Sequence, residues 1–233
     1  MKFIIYGYMR SGTTMLTTML NSHPELKCYA EESVDTLSTI NNNEGINVKY
    51  SHLKSNEILE YVDQYKIIHL IRTNVFHTAI SNFINDNKQS TKTPTAHIFS
   101  KNENLYYLTK QEKHDNQVPM AKRQFHKDIE KDKIHVDSNV IFNSMKNIHK
   151  EVNNELQILG THKNVLTLTY EELTSNDTDI KYLDNNLSNK ICNFLEVDNH
   201  EMYATTMKVN NSNYEKYISN WHELKPLKQM ITT

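Results

Sequence analysis

Glycine and proline are scarce in this sequence, with four of each in 233 residues. A chain that spends glycine so sparingly makes the close pair Gly7 and Gly12 informative. Cysteine is scarcer still. Cys28 and Cys192 stand far apart, which excludes a disulfide framework and any cysteine-type metal spacing, and makes a reducing cytoplasm the expected setting. Neither charge is in excess: 26 Lys and Arg face 28 Asp and Glu, for a net charge of −2. The chain therefore lacks the basic field of a general nucleic-acid binder, and no nucleic-acid partner is expected. Long apolar runs are missing too. Phe3-Ile4-Ile5-Tyr6 is too short for a signal peptide or a membrane span, and no later stretch approaches span length. What is present is a polar chain, long enough for one domain over 1–233 with a sizeable core.

The apolar pattern predicts a strand over 2–7, a helix from Thr13 to Asn21 that stops before His23-Pro24, and a strand over 46–53. "SNEILEYVDQY" predicts a helix and "KIIHLIR", 66–72, a buried strand. A helix follows over 74–85, with Val75, Phe76, Ala79, Ile80 and Phe83 on one face. Residues 86–133 read as a polar, irregular lid. Beyond it come a long helix over 138–160, a strand over 164–170, a helix in "LSNKICNFLEV", and a loop-like tail from 205. Alternating strands and helices predict an α/β chain whose central parallel sheet is flanked by helices, a three-layer, P-loop-like fold. Ligands in such sheets bind at the carboxyl ends of the strands.

The first strand runs into Gly7-Tyr8-Met9-Arg10-Ser11-Gly12-Thr13-Thr14. The two glycines have the spacing of a nucleotide P-loop, but Thr13 stands where that loop carries lysine. A loop at a helix N-terminus still offers backbone N–H groups and the positive end of the helix dipole. Ser11, Thr13 and Thr14 add hydroxyls, and Arg10 adds a guanidinium fork. The missing lysine points to a ligand with a 5′-phosphate and no γ-phosphate. The strand at 66–72 ends in Arg72 rather than Asp, which removes a further reason to expect a Mg²⁺-dependent NTPase. The middle glycine of a dinucleotide loop is absent as well. An unliganded β–α turn is the plain alternative.

"RSGTTMLTTMLNSHPEL", 10–26, resembles the 5′-phosphosulfate loop of sulfotransferases that use PAPS (3′-phosphoadenosine 5′-phosphosulfate), most of all the tyrosylprotein and bacterial carbohydrate enzymes. "KCYAEES", 27–33, is similar to the tyrosylprotein segment that carries the general base, and "IIHLIRTNVFHTAISNF", 67–83, to the 3′-phosphate motif. "NVLTLTYEEL", 164–173, resembles the strand whose Tyr lies near the adenine. "MKVNNSNYEKYISNW", 207–221, resembles the C-terminal element whose Lys reaches the donor.

The resemblance implies PAPS as donor, PAP as product, no metal, and transfer of a sulfuryl group to a hydroxyl or amine acceptor. It assigns Arg10, Ser11, Gly12, Thr13 and Thr14 to the 5′-phosphosulfate, Arg72 and Ser81 to the 3′-phosphate, and Tyr170 and Lys208 to the nucleotide. Glu32 is the first candidate base, with Glu31 beside it. His52 is the second, since "VKYSHL" is similar to the Val-Lys-Thr-His-Leu of cytosolic sulfotransferases, with Lys49 as electrostatic helper. One extra residue separates Lys49 from His52, and a one-residue slip on a strand reverses the face. The polarity of 86–133 favours a sugar-like acceptor over a lipophilic phenol; a small molecule or a peptide hydroxyl is the alternative. His69, His77, His126 and His135 show no metal-ligand spacing, and Trp221 reads as a packing anchor. The competing functions are a P-loop-type small-molecule kinase and a nucleotide-binding protein without catalysis.

Overall fold

The structure, a computed structural model, describes residues 1–29, 33–50, 53–54, 56–88, 98–99, 133–174, 181–204, 206–207, 214–216 and 218–230. It divides into two compact units. One takes the described residues of Met1–Thr73 and Val152–Thr205. The other takes those of Asn74–Asn102, Glu112–Glu151 and Thr206–Thr233.

The first unit is built on a five-stranded sheet. Its strands are β1 (Phe3–Gly7), β2 (Lys27–Tyr29), β3 (Glu44–Lys49), β4 (Lys66–Ile71) and β6 (Val165–Thr169), in the order β2-β3-β1-β4-β6. All pairings are parallel. Every residue of β1 and β4 is buried, as continuous apolar runs in a parallel sheet covered on both faces should be. Successive side chains serve opposite faces. Phe3 and Ile5 pack with Leu16, Met19 and Leu20 of helix α1 (Thr13–Asn21) and with Leu187, Ile191 and Leu195 of a second helix, Asn185–Leu195. Ile4 and Tyr6 pack on the other face with Leu37, Ile58, Val62 and Leu159. Each fully buried Leu, Ile or Phe contributes about 1.5–3 kcal/mol, so the two apolar layers hold the sheet. The α/β fold with its central parallel sheet is thus as the sequence predicts.

Several elements differ from the expected ones. β2 is a three-residue edge strand with no pattern of its own. The strand expected to reach 53 ends at Lys49; Tyr50 N–H still donates to the Gly7 carbonyl (3.1 Å), and Leu53 N–H then closes a turn onto the Lys49 carbonyl (3.2 Å). The helix expected in "SNEILEYVDQY" is a single 3₁₀ turn, Ile58–Tyr61. Only Ile58 and Val62 bury fully there, too few anchors to offset the cost of helix nucleation. The first unit also contains a short antiparallel pair, β7 (Lys181–Tyr182) with β8 (Tyr203–Ala204).

In the second unit lie α2 (Val75–Lys88) and the antiparallel pair β5 (Ile98–Phe99) with β9 (Thr206–Met207). It also holds the start of α3 (Ser138–Leu159), whose residues from Val152 onward belong to the first unit. The helix Trp221–Leu224 falls in the tail expected to be loop. Trp221 is the packing anchor foreseen for it, with ring centroids 5.7 Å from Phe76 and 5.5 Å from Tyr214. The Asn220 amide locks this corner by exchanging hydrogen bonds with the Val136 backbone at 3.0 and 2.8 Å.

No helix among the described residues is long and apolar enough to cross a membrane.

Candidate functional site

β1 is flanked by β3 on one side and β4 on the other, so the chain leaves the sheet in opposite directions from this strand. A crevice at the carboxyl ends is the usual ligand position in such a sheet. Register brings the ends level: Gly7 lies opposite Lys49 and Leu70, and Ile71 opposite Thr169. The residues that follow, Tyr8 to Gly12, Arg72 and Tyr170, therefore emerge along one edge.

The loop after β1 is shaped by two left-handed residues, Arg10 (φ 67°) and Gly12 (φ 97°). Ser11 N–H donates to the Tyr8 carbonyl (3.2 Å), tightening the turn. Gly12 is the N-cap of α1 and supplies no side-chain cap. The first amides of a helix have no partners within it, so this end presents donors and partial positive charge. Glycine at 7 is demanded by space: a β-carbon there would stand 2.3 Å from the Leu70 carbonyl oxygen and 2.8 Å from Ser11 Oγ. At Gly12 a β-carbon would come within 2.5 Å of the Tyr170 ring.

Two polar atoms of this edge are buried without a hydrogen-bond partner among the described residues, Ser11 Oγ and Arg72 Nε. Ser11 is 1% exposed and Arg72 8%. A buried donor left unsatisfied costs about 1–3 kcal/mol, and native proteins rarely retain one without a reason. An uncapped helix N-terminus, an orphaned hydroxyl and an orphaned guanidinium N–H are the donor set that an oxyanion would complete. The residues present therefore fit a phosphate- or sulfate-bearing ligand.

Arg72 is held from two sides. Its Nη1 donates to the Arg10 carbonyl (3.4 Å), and its guanidinium carbon lies 4.5 Å from the centroid of the Tyr170 ring. Burial raises the Tyr170 phenol above its ordinary pKa, with the Arg72 and Arg10 charges opposing and Glu171 adding to the rise. Tyr170 opens a four-residue helix, α4 (Tyr170–Leu173), fixed by a capping box between Thr169 and Glu172. The T-x-x-E spacing of that box was readable in the sequence. Less readable was Glu171, whose carboxylate accepts from the Thr73 N–H at 3.1 Å and ties the end of β4 to the end of β6.

Lys49 ends β3 beside Gly7, with the rings of Tyr8 and Tyr50 paired 5.6 Å apart and Lys54 over Tyr50 at 4.3 Å. Thr13 and Thr14 are buried in the first turn of α1. Arg10, Ser11, Gly12, Thr13, Thr14, Lys49, Arg72 and Tyr170 all belong to the first unit. Ser81 is buried on α2 in the second. Glu31, Glu32, His52 and Lys208 lie outside the described residues, as does most of the expected lid.

His69 proves to be a core residue. It is fully buried on β4, Nε2 donating to Glu155 Oε2 of α3 at 3.0 Å, with the Thr167 hydroxyl 3.5 Å from Nδ1. Among the described residues no three His, Cys, Asp or Glu side chains group to share a metal ion.

No family model and no curated protein sequence matches the chain. Its fold is similar to that of mouse sulfotransferase SULT7A1 complexed with PAP, at 18% sequence identity and a TM-score of 0.45, over 94% of this chain and 62% of that one. The chain thus spans less than two thirds of that protein's length.

Proposed function

We propose that this chain is a sulfotransferase that takes a sulfuryl group from PAPS and releases PAP, with residues 1–233 serving that one reaction in the cytoplasm. The observation that carries the reading is the N-terminus of α1 without a side-chain cap, with Ser11 Oγ and Arg72 Nε buried at the same sheet edge and unpartnered among the described residues, and no P-loop lysine. A P-loop kinase would want that lysine for its γ-phosphate.

PAPS supplies the sulfur centre and a good leaving group, the 5′-phosphate of the nucleotide. In an in-line exchange the acceptor oxygen bonds to sulfur as the sulfur–oxygen bond to that phosphate breaks. The protein mainly positions groups and neutralises charge. Ser11, Gly12, Thr13 and Thr14 cradle the 5′-phosphosulfate, and Arg10 meets the charge that grows on the departing phosphate. The sequence resemblance assigns Arg72 and Ser81 to the 3′-phosphate and Tyr170 and Lys208 to the nucleotide. Lys49 is the electrostatic helper beside the loop. Glu32 accepts the acceptor's proton, with His52 the second candidate, because a hydroxyl needs a base within hydrogen-bond reach. The acceptor is carbohydrate-like, and no metal is used.

The test is thermal shift with PAP against ATP–Mg²⁺, followed by labelled PAPS with a panel of sugars, phenols and peptides. Stabilisation by PAP and label on a sugar acceptor are expected. Stabilisation by ATP–Mg²⁺ alone would return the kinase. PAP binding without transfer to any acceptor pool, unchanged by Glu32→Ala, would leave a nucleotide-binding protein without catalysis.

A further inference from the structure

We propose that Tyr170 is a positioning residue for Arg72: its aromatic face, not its hydroxyl, holds the guanidinium in line with the Gly12 turn, so that recognition of the nucleotide's second phosphate depends on the ring. This inference rests on the sulfotransferase reading above and deepens it. The sequence resemblance assigns Tyr170 to the neighbourhood of the base. The geometry gives it a different task.

Three contacts define that task. One face of the ring carries the Arg72 guanidinium carbon, 4.5 Å from the centroid, within reach of a cation–π attraction. Its Cδ2 edge stands so close to Gly12 that a β-carbon there would come within 2.5 Å, so ring and turn are packed as one piece. Glu171 then fixes the backbone on both sides, accepting from Thr73 N–H at 3.1 Å, one residue beyond Arg72 and one beyond Tyr170. An arginine at a strand end would otherwise sample many rotamers and lose that freedom on binding. Here the stack and the Arg10 carbonyl hold the group, leaving Nε buried and open to a ligand acceptor. Burial raises the phenol above its ordinary pKa against the opposing Arg72 charge, which favours the neutral ring as the partner of Arg72.

The experiment compares binding of PAP with binding of adenosine 5′-monophosphate, which lacks the second phosphate, by calorimetric titration of the full chain. The proteins are the unaltered chain, Tyr170→Phe, Tyr170→Leu, Arg72→Ala and the Tyr170→Leu/Arg72→Ala double variant. The unaltered chain should prefer PAP, and Tyr170→Phe should keep that preference. Tyr170→Leu, which retains apolar bulk against Gly12, should lower the preference about tenfold by weakening PAP more than the monophosphate. Arg72→Ala should lower it as much or more, and the double variant no further. Equal weakening of both nucleotides in Tyr170→Leu would overturn the inference in favour of base stacking. A Tyr170→Phe as damaged as Tyr170→Leu would overturn it in favour of the hydroxyl, a comparison that stands even where the leucine variant folds poorly. Failure of the unaltered chain to bind PAP is a separate result, and it would remove the sulfotransferase reading itself.

Discussion

Ser11 Oγ lies 2.8 Å from the point where a β-carbon on Gly7 would stand, so the hydroxyl occupies room that only glycine at position 7 leaves open. The two residues are one device. Gly7→Ala should destabilise the fold by about 1–3 kcal/mol, because the added carbon also meets the fixed Leu70 carbonyl. Ser11→Ala should behave in the opposite way. It removes an orphaned buried hydroxyl, so stability in urea should hold or rise by up to about 1 kcal/mol. PAP affinity should nonetheless fall about tenfold or more, the worth of a hydrogen bond to a charged group. A Ser11→Ala protein that loses stability and keeps full affinity would contradict the assignment.

Gly12→Ala tests backbone and packing together. The left-handed conformation costs an alanine about 1–2 kcal/mol, and the Tyr170 ring adds a clash. Chemical denaturation should therefore show a loss larger than the backbone cost alone. Measured in a Tyr170→Ala background, Gly12→Ala should cost only the conformational part.

The buried pair His69 and Glu155 predicts an asymmetry. His69→Leu strands a carboxylate whose Oε1 already has no partner among the described residues, and should cost about 3–5 kcal/mol. Glu155→Leu leaves the buried Nε2 of His69 without its partner, at about 1–3 kcal/mol. The double variant should cost less than the sum, since neither orphan remains. Equal and additive losses in urea unfolding would mean that the contact carries no coupling.

Cys28 predicts an alkaline effect. Burial pushes its thiol up to about 12, with the Thr17 hydroxyl opposing in part. A folded-state value raised above the unfolded one stabilises fully below the unfolded pKa of about 8.5, and that contribution is lost as pH rises toward the folded value. Stability should thus fall between about pH 9 and 12, and Cys28→Ala should flatten that slope. Both cysteines are buried and free, so iodoacetamide at pH 8 should label neither in the native chain and both after denaturation. Rapid native labelling of Cys28 would contradict its burial.

Much of this was legible from residue order because it is local. Phe3-Ile4-Ile5-Tyr6 and Ile67-Ile68-His69-Leu70-Ile71 announce buried strands by continuous apolar character, and both are found. His69 breaks the second run chemically, and only the fold reveals that Glu155, 86 residues on, answers it. β2 escaped notice because three residues carry no period, and the 3₁₀ turn at Ile58–Tyr61 was overread because an amphipathic pattern does not say how much apolar surface awaits it. The end of β3 at Lys49 also removes the strand-face argument that counted against His52.

Residue order alone settled the turn that joins β1 to α1. A strand, two glycines of P-loop spacing and a helix produce oriented N–H groups wherever they occur, since those groups belong to consecutive residues. The tertiary structure alone decided the rest of the site. Arg72 and Tyr170 meet because parallel pairing sets Ile71 opposite Thr169, on strands brought together from distant parts of the chain. Gly12 is required twice over, by its own backbone and by a ring that no local pattern could bring to it. Register across a sheet is fixed by the packing of both faces at once, and that is a property of the assembled core rather than of any one segment.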